Sequence, residues 1–386
     1  MTPYEKRVIG YTTSAHALVH IFELSLAAVL PMIALEYGVG KSVLGTLATA
    51  FALPFGSFAL VSGVLTDRIG ARGVMIICFI TAAISAFLVG LSASVVMLAV
   101  TLALMGFATG LYHPAGSALI STGVRDTAKG FAYHGMAGNL GLTIAPLFAG
   151  TLAALAGWRS AYFALAVLGA GLAAVLQAVP LHTAEAPAPV RNEGASSVVY
   201  AASTLTGFIY RGALTFLPLY IGERVHISLF NIDSAVLTGS FASVAIFFGI
   251  WGQYTGGIMG GRFRLELLAL GQATVLAPIL LILGNAEGFP VVILASLFAF
   301  FHFLGQPVYN SLVAKYTPMS LRGRSYGLSF FCVFGLGSFS AGFSGLIAER
   351  MGTQWVFIIL SGVAVLLAVL VSTLLRVKTP QRVAAP

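Results

Sequence analysis

Charge is what this sequence has least of. Lys and Arg number 20 and Asp and Glu 12, together 8% of 386 residues, against roughly 25% in an ordinary soluble domain. A soluble chain of this length could not cover its surface with so few polar groups, since 58% of the residues are Ala, Val, Ile, Leu, Met, Phe, Trp, Tyr or Cys. Cysteine is nearly absent: Cys78 and Cys332 both lie in apolar runs, so neither a disulfide framework nor a thiolate metal site is available. No loop of the form Gly-x4-Gly-Lys-Ser/Thr occurs, so the chain is not expected to be its own ATPase or another enzyme, and no cofactor is expected. The net charge of +8 does not imply a nucleic-acid partner, because the basic residues stand between apolar segments, the pattern that insertion topology leaves in membrane proteins. Glycine, in contrast, is plentiful at 44 residues, which suits membrane helices that approach one another closely.

A membrane span needs about 20 mostly apolar residues. Candidate stretches are 8–35, 43–65, 74–92, 95–121, 130–156 and 158–180, then 198–221, 234–256, 265–284, 290–314, 324–347 and 353–376. The first is too long for a signal-peptide core. The break 181–197, with its Pro, Glu and small residues, reads as a solvated linker. The expectation is an all-α membrane protein of twelve transmembrane helices in two six-helix bundles, 1–180 and 198–386. Alternate-side counting puts Lys6, Arg7, Arg68, Arg72, Arg125, Lys129, Arg191, Arg262, Arg264, Lys315, Arg322, Arg324, Arg376, Lys378 and Arg382 on one side. Lys41, Arg159, Arg224 and Arg350 fall on the other, and Arg211 lies inside a stretch. That asymmetry predicts both termini and the linker to be cytoplasmic, in a bacterial-type inner membrane.

The halves are related. Gly63-Val-Leu-Thr-Asp67-Arg68 aligns with Gly257-Ile-Met-Gly-Gly261-Arg262, His113-Pro114 with Gln306-Pro307, Gly130 with Gly323, and Gly157 with Gly352, at offsets of 193 to 195. Parallel repeats of this kind place a central site where the halves meet.

The loop Gly63-Val-Leu-Thr-Asp67-Arg68-Ile-Gly70-Ala71-Arg72 resembles the G-x-L-a-D-r-x-G-r-R signature of the major facilitator superfamily, with Ala71 replacing one basic residue. The resemblance covers nearly the whole chain. It implies the major facilitator fold and a gating role for Gly63, Asp67, Arg68, Gly70 and Arg72, with Arg262 in a second copy that has lost its acid at Gly261. Gly141-Leu-Thr-Ile-Ala145-Pro146-Leu-Phe-Ala149-Gly150 is similar to the family's antiporter motif, in which Gly141, Pro146 and Gly150 are retained. Its plain alternative is small-residue helix packing. Gly110-Leu-Tyr-His113-Pro114-Ala115-Gly-Ser, Gly130-Phe-Ala and Gly138-Asn139 are similar to the fosmidomycin-resistance-like subgroup, although Ala115 stands where an acid is frequent. The Arg of drug–proton antiporters in the fourth helix is missing, since no Lys or Arg lies between Val96 and Arg125.

Ionisable groups inside a span cost about 2.5–3.5 kcal/mol on insertion scales and are therefore functional candidates. His16, His20 and Glu23 follow an i, i+4, i+7 spacing and share a helix face. With His113 and His134 they form the expected proton-coupling set. Tyr210, Arg211, His302, Gln306, Tyr309, Asn310 and Asn139 form the expected substrate set; a buried Arg favours an anionic group. Plainer roles stand beside these: Glu23 as a structural acid paired with a histidine, and Arg211 as its neutralising partner.

The resulting expectation is a proton-coupled secondary exporter, monomeric in the bilayer, that moves a small organic compound by alternating access. Alternatives are a proton-coupled importer of an organic anion, a divalent transition-metal exporter using the histidines, and a non-transporting receptor on the same scaffold. No resident metal is assigned.

Overall fold

The computed structural model describes residues 1–39, 41–178, 193–225 and 234–377, and no strand occurs among them. The helices are α1 (Pro3–Tyr37), α2 (Lys41–Gly90), α3 (Val95–Gly110), α4 (Tyr112–Gly123), α5 (Thr127–Ala156), α6 (Trp158–Ala178) and α7 (Glu193–Arg224). They continue with α8 (Ser234–Gly260), α9 (Leu265–Asn285), α10 (Pro290–Tyr316), α11 (Arg322–Phe330), α12 (Phe339–Met351) and α13 (Gln354–Ser372). Most of the expected linker, with Arg191, and the terminal Lys378 and Arg382 lie outside the described residues, and α7 begins inside the stretch read as linker. The side chain of Pro146 also lies outside them.

Local chemistry sets several boundaries. Thr2 caps α1: its hydroxyl accepts from the Glu5 N–H while the Glu5 carboxylate accepts from the Thr2 N–H, and Pro3 occupies the first turn, where its missing donor costs nothing. Gly38 ends α1 in the left-handed region at φ 62°. The 50-residue run α2 is two helices meeting at Gly70, whose φ of 80° and ψ of 153° interrupt the helix, a conformation that L side chains rarely adopt. α11 passes to α12 through a π turn at Phe331–Gly335 and a 3-10 turn at Leu336–Ser338.

Nine helical runs among the described residues are long and apolar enough to cross a membrane. The outer faces agree. On α2, Ile77, Ile80, Ile84 and Phe87 are all exposed at helical spacing, as are Val96, Val100 and Leu104 on α3 and Val365, Leu366 and Val369 on α13. Surface patches this apolar and continuous suit lipid rather than water. Inside, glycines let backbones touch: a Cβ on Gly110 would stand 2.5 Å from the Phe55 carbonyl oxygen of α2.

The chain forms two compact units. The first comprises Met1–Arg125, Ala137–Ala186 and Ser320–Phe331; the second comprises Asp126–Met136, Pro187–Met319 and Cys332–Pro386. The division follows neither bundle boundary alone, because the first turns of α5 cluster with the second unit and α11 clusters with the first.

Candidate functional site

The first unit holds a buried polar chain. His20 Nδ1 lies 2.6 Å from Glu23 Oε2, and His20 Nε2 lies 3.0 Å from His16 Nε2. One turn of α1 separates each pair, so the spacing that put the three residues on one face also brings their rings together. His113, from the start of α4, closes the group: its ring centroid is 5.1 Å from that of His16 and 5.4 Å from that of His20. One nitrogen from each of the three histidines can be chosen so that all lie within 4.8 Å of one another. The histidines are 2–7% exposed, whereas the Glu23 side chain is 16% exposed.

The surroundings fix this arrangement. Phe55 meets the His113 ring edge-on and Phe330 of α11 stacks on it at 5.0 Å. Tyr112 stacks near His16 at 5.7 Å and donates its hydroxyl to the carbonyl of Thr12. On α5, any side chain at Gly138 would strike the His16 ring, so this glycine is the space His16 occupies. Gly141 meets the Ala17 carbonyl, whereas nothing approaches Gly150. Asn139 is buried in the same unit, and its amide nitrogen has no acceptor among the described residues.

When Glu23 is ionised its carboxylate can only accept, and His20 Nδ1 then carries the proton toward it. The facing Nε2 atoms of His20 and His16 must then share one proton between two lone pairs. Glu23, His20 and His16 therefore form a relay along which a proton can pass.

His134 belongs to the second unit, edge-on to Phe131, and is not one of the three grouped histidines. That unit also holds most of the expected substrate set. The Tyr210 ring stacks on His302 at 5.6 Å, His302 stacks in turn on Phe298, and the Arg211 guanidinium sits 5.6 Å from the Tyr210 centroid. Within its unit, no described carboxylate lies at ion-pair distance from Arg211. Gln306 accepts from the Gln253 amide at 2.5 Å, and the Tyr309 hydroxyl reaches Gln272 at 3.4 Å. Asn310 is half-buried on α10, three residues beyond Pro307. Among the described residues, His302 Nδ1, Gln253 Oε1 and Gln272 Nε2 are buried without a hydrogen-bond partner. Gln253 and Gln272 were as visible in the sequence as Gln306, being lone amides in apolar runs, but no repeat landmark drew attention to them.

The Asp67 carboxylate sits at the N-terminus of α11, accepting from the N–H groups of Gly323 at 2.8 Å and Arg324 at 3.1 Å, with Arg324 Nε at 3.3 Å. Free helical N–H groups and the helix dipole favour an anion there. Arg324, which in the sequence counted toward topology alone, is thus the charge partner of Asp67. Arg72 instead donates to the last carbonyls of α6, at Leu176 and Gln177. Arg68 and Arg262 are exposed. Gly63 touches the same α11 terminus: a Cβ there would stand 2.6 Å from the Gly323 oxygen. The spacing Gly323-Arg324-Ser325-Tyr326-Gly327 mimics a hydrolase nucleophile elbow but opens a helix that no strand precedes, and Ser325 is buried, so it cannot present a nucleophile.

A chain whose described residues form helices without a strand, with lipid-facing apolar surfaces and polar side chains kept inside, is a multi-pass integral membrane protein. It belongs to the Major Facilitator Superfamily, whose pattern matches residues 12–342, and members of that family are transporters. Among curated relatives, a probable sulfoacetate transporter of Cupriavidus necator is 24% identical, over 97% of this chain and 95% of its own. The Fosmidomycin resistance protein of Escherichia coli is 25% identical, over 91% and 88%. The human organic anion transporter MFSD10 superposes with a TM-score of 0.81 at 18% identity, covering 96% of this chain and 100% of that one. These bacterial relatives place the protein in the inner membrane.

Proposed function

We propose that this protein is a proton-coupled secondary transporter that exports a small organic anion by alternating access. The observation that carries the reading is the buried Glu23–His20–His16 relay, a continuous path for a proton inside a transporter fold. Arg211, with Tyr210, His302, Gln306, Tyr309 and Asn310, supplies the substrate contacts of the second unit, and Asn139 is the substrate-binding residue of the first. A guanidinium held against the Tyr210 ring suits an anionic substrate, in keeping with a relative described as a probable sulfoacetate transporter. Asp67, Gly63 and Gly70, with Arg68 and Arg72, form the cytoplasmic gate of the first unit, and Arg262 is the gating residue of the second. The membrane topology that fits the Lys and Arg distribution has twelve spans in two bundles, 1–180 and 198–386, both termini cytoplasmic. The transporter works as a monomer.

The test is flux in proteoliposomes loaded with candidate organic anions. The wild-type protein accumulates substrate against its gradient when a pH gradient is imposed, while Glu23→Gln abolishes that accumulation and retains substrate exchange, since exchange needs no net proton cycle. Wild-type accumulation in Glu23→Gln removes Glu23 from coupling. A pH gradient of the opposite polarity driving accumulation identifies an importer, and binding without flux identifies a receptor.

A further inference from the structure

We propose that His16, His20 and His113 form a binding site for a single divalent transition-metal ion of the zinc class, with Glu23 as the outer carboxylate that holds His20 in its ligating tautomer. Three features of the cluster meet in this assignment. First, the spacing fits. A tetrahedral metal with metal–nitrogen bonds of about 2.0–2.1 Å needs ligand nitrogens roughly 3.3 Å apart. His16 and His20 hold a pair of theirs at 3.0 Å, and one nitrogen from each of the three rings can be chosen within 4.8 Å of the others, so a bound ion would draw the rings closer by about an ångström or more.

Second, the tautomer is set. Metal-bound histidines characteristically donate their other ring N–H to a carboxylate, which orients the ring and raises its basicity. His20 does this already: Nδ1 faces Glu23 at 2.6 Å and leaves Nε2 directed at the cluster. Third, the donor set selects the ion. Three imidazoles without a thiolate suit Zn²⁺, Co²⁺ or Ni²⁺, whereas Mg²⁺ and Ca²⁺ require oxygen ligands. The rings are buried among Phe55, Tyr112 and Phe330, so a bound ion is shielded from competing water and keeps its fourth position for a water molecule or a small anion. The sites come from two helices, α1 and α4, so the ion would also tie these helices together. A bound ion would take the two Nε2 lone pairs that the proposed relay uses, so metal and relay proton exclude one another; the assignment is tested apart from transport, by equilibrium binding at one fixed pH.

The experiment uses purified full-length protein in nanodiscs, stripped of metal with a chelator and with its affinity tag cleaved. Co²⁺ serves as the optical probe. One equivalent of Co²⁺ should give the intense visible bands of tetrahedral coordination, and Zn²⁺ should displace it stoichiometrically, while Mg²⁺ at a large excess should not. His113→Ala and His16→Ala should each weaken binding at least tenfold, and Glu23→Gln by about 10- to 100-fold. His134→Ala should leave binding unchanged. Weak octahedral bands in the wild-type protein, or tetrahedral bands that survive His113→Ala, overturn the assignment. The wild-type spectrum alone decides the matter if a histidine variant does not fold, so a failed variant does not shield the proposal. A transporter whose flux depends on Glu23 but which gives no tetrahedral Co²⁺ spectrum loses this proposal and keeps the functional one; the reverse result does the opposite.

Discussion

At the scale of single residues, each candidate acts through a particular atom. The Arg211 guanidinium lies 5.6 Å from the Tyr210 ring centroid, which limits the directions its donors can take. Arg211→Lys keeps the charge but loses the flat two-pronged donor; affinity for carboxylates and sulfonates should fall about tenfold, or roughly 1.4 kcal/mol, with neutral analogues unchanged. Calorimetric titration of the nanodisc protein with both classes checks this, and equal losses for both would mean a structural role. Gln253 makes a related case. Its amide donates to Gln306 and fills the space above Gly135, where a Cβ would overlap its side chain. Gly135→Ala should therefore displace Gln253, break its bond to Gln306 and weaken substrate binding, although Gly135 itself touches no ligand.

At the scale of helices, the ends carry the specific chemistry. Asp67 caps the N-terminus of α11 with two backbone bonds and a side-chain contact. Asp67→Asn turns a donor amide toward one of those N–H groups and leaves a buried donor unmatched, at about 1–3 kcal/mol. Gly63→Ala, blocked by the Gly323 backbone, should cost about 1–3 kcal/mol through overpacking. Both variants should lower the thermal midpoint and slow turnover, and wild-type flux in Asp67→Asn would remove it from the gate. The opposite helix ends share a second device. Glu36, at the end of α1, accepts from the Trp158 indole and from both Arg159 nitrogens at the start of α6. Glu223, at the end of α7, accepts from the Thr353 hydroxyl just before α13 at 2.5 Å. Each unit thus closes its first long helix onto its last through a glutamate.

The Arg159 guanidinium, aided by Trp158, holds the Glu36 carboxyl below the usual carboxylate range. A lowered folded-state value means the contribution is fully present above the unfolded value near 4.3 and is lost as the pH falls through the folded value. The Glu36 side chain is 39% exposed, so solvent limits the contribution to about 0.2–1 kcal/mol. Glu36→Gln should accordingly flatten the acid side of a midpoint-against-pH curve and leave the neutral region nearly level. An unchanged acid slope would show that the pair adds nothing.

At the scale of the whole molecule, the Lys and Arg asymmetry sets an expectation that does not depend on any single helix. A fluorescent protein fused after Pro386 should fluoresce, since it folds only in the cytoplasm, and a periplasm-dependent phosphatase fused there should be inactive. The reverse pair of results overturns the orientation.

Much of this molecule was legible in one dimension. Long apolar runs can satisfy their backbone in a bilayer only as helices, so the helical class followed from composition, and the break at Gly70 from a loop motif whose glycine permits a positive φ. The His16–His20–Glu23 face followed too, because helical spacing alone brings those groups together. What lies far apart in sequence was decided only by packing. No periodicity brings His113 onto that face, pairs Asp67 with Arg324, or sends Arg72 to the carbonyls of α6 rather than to Asp67. Those contacts depend on how whole helices settle against one another, at points where small residues such as Gly63, Gly110 and Gly138 let backbones and rings meet.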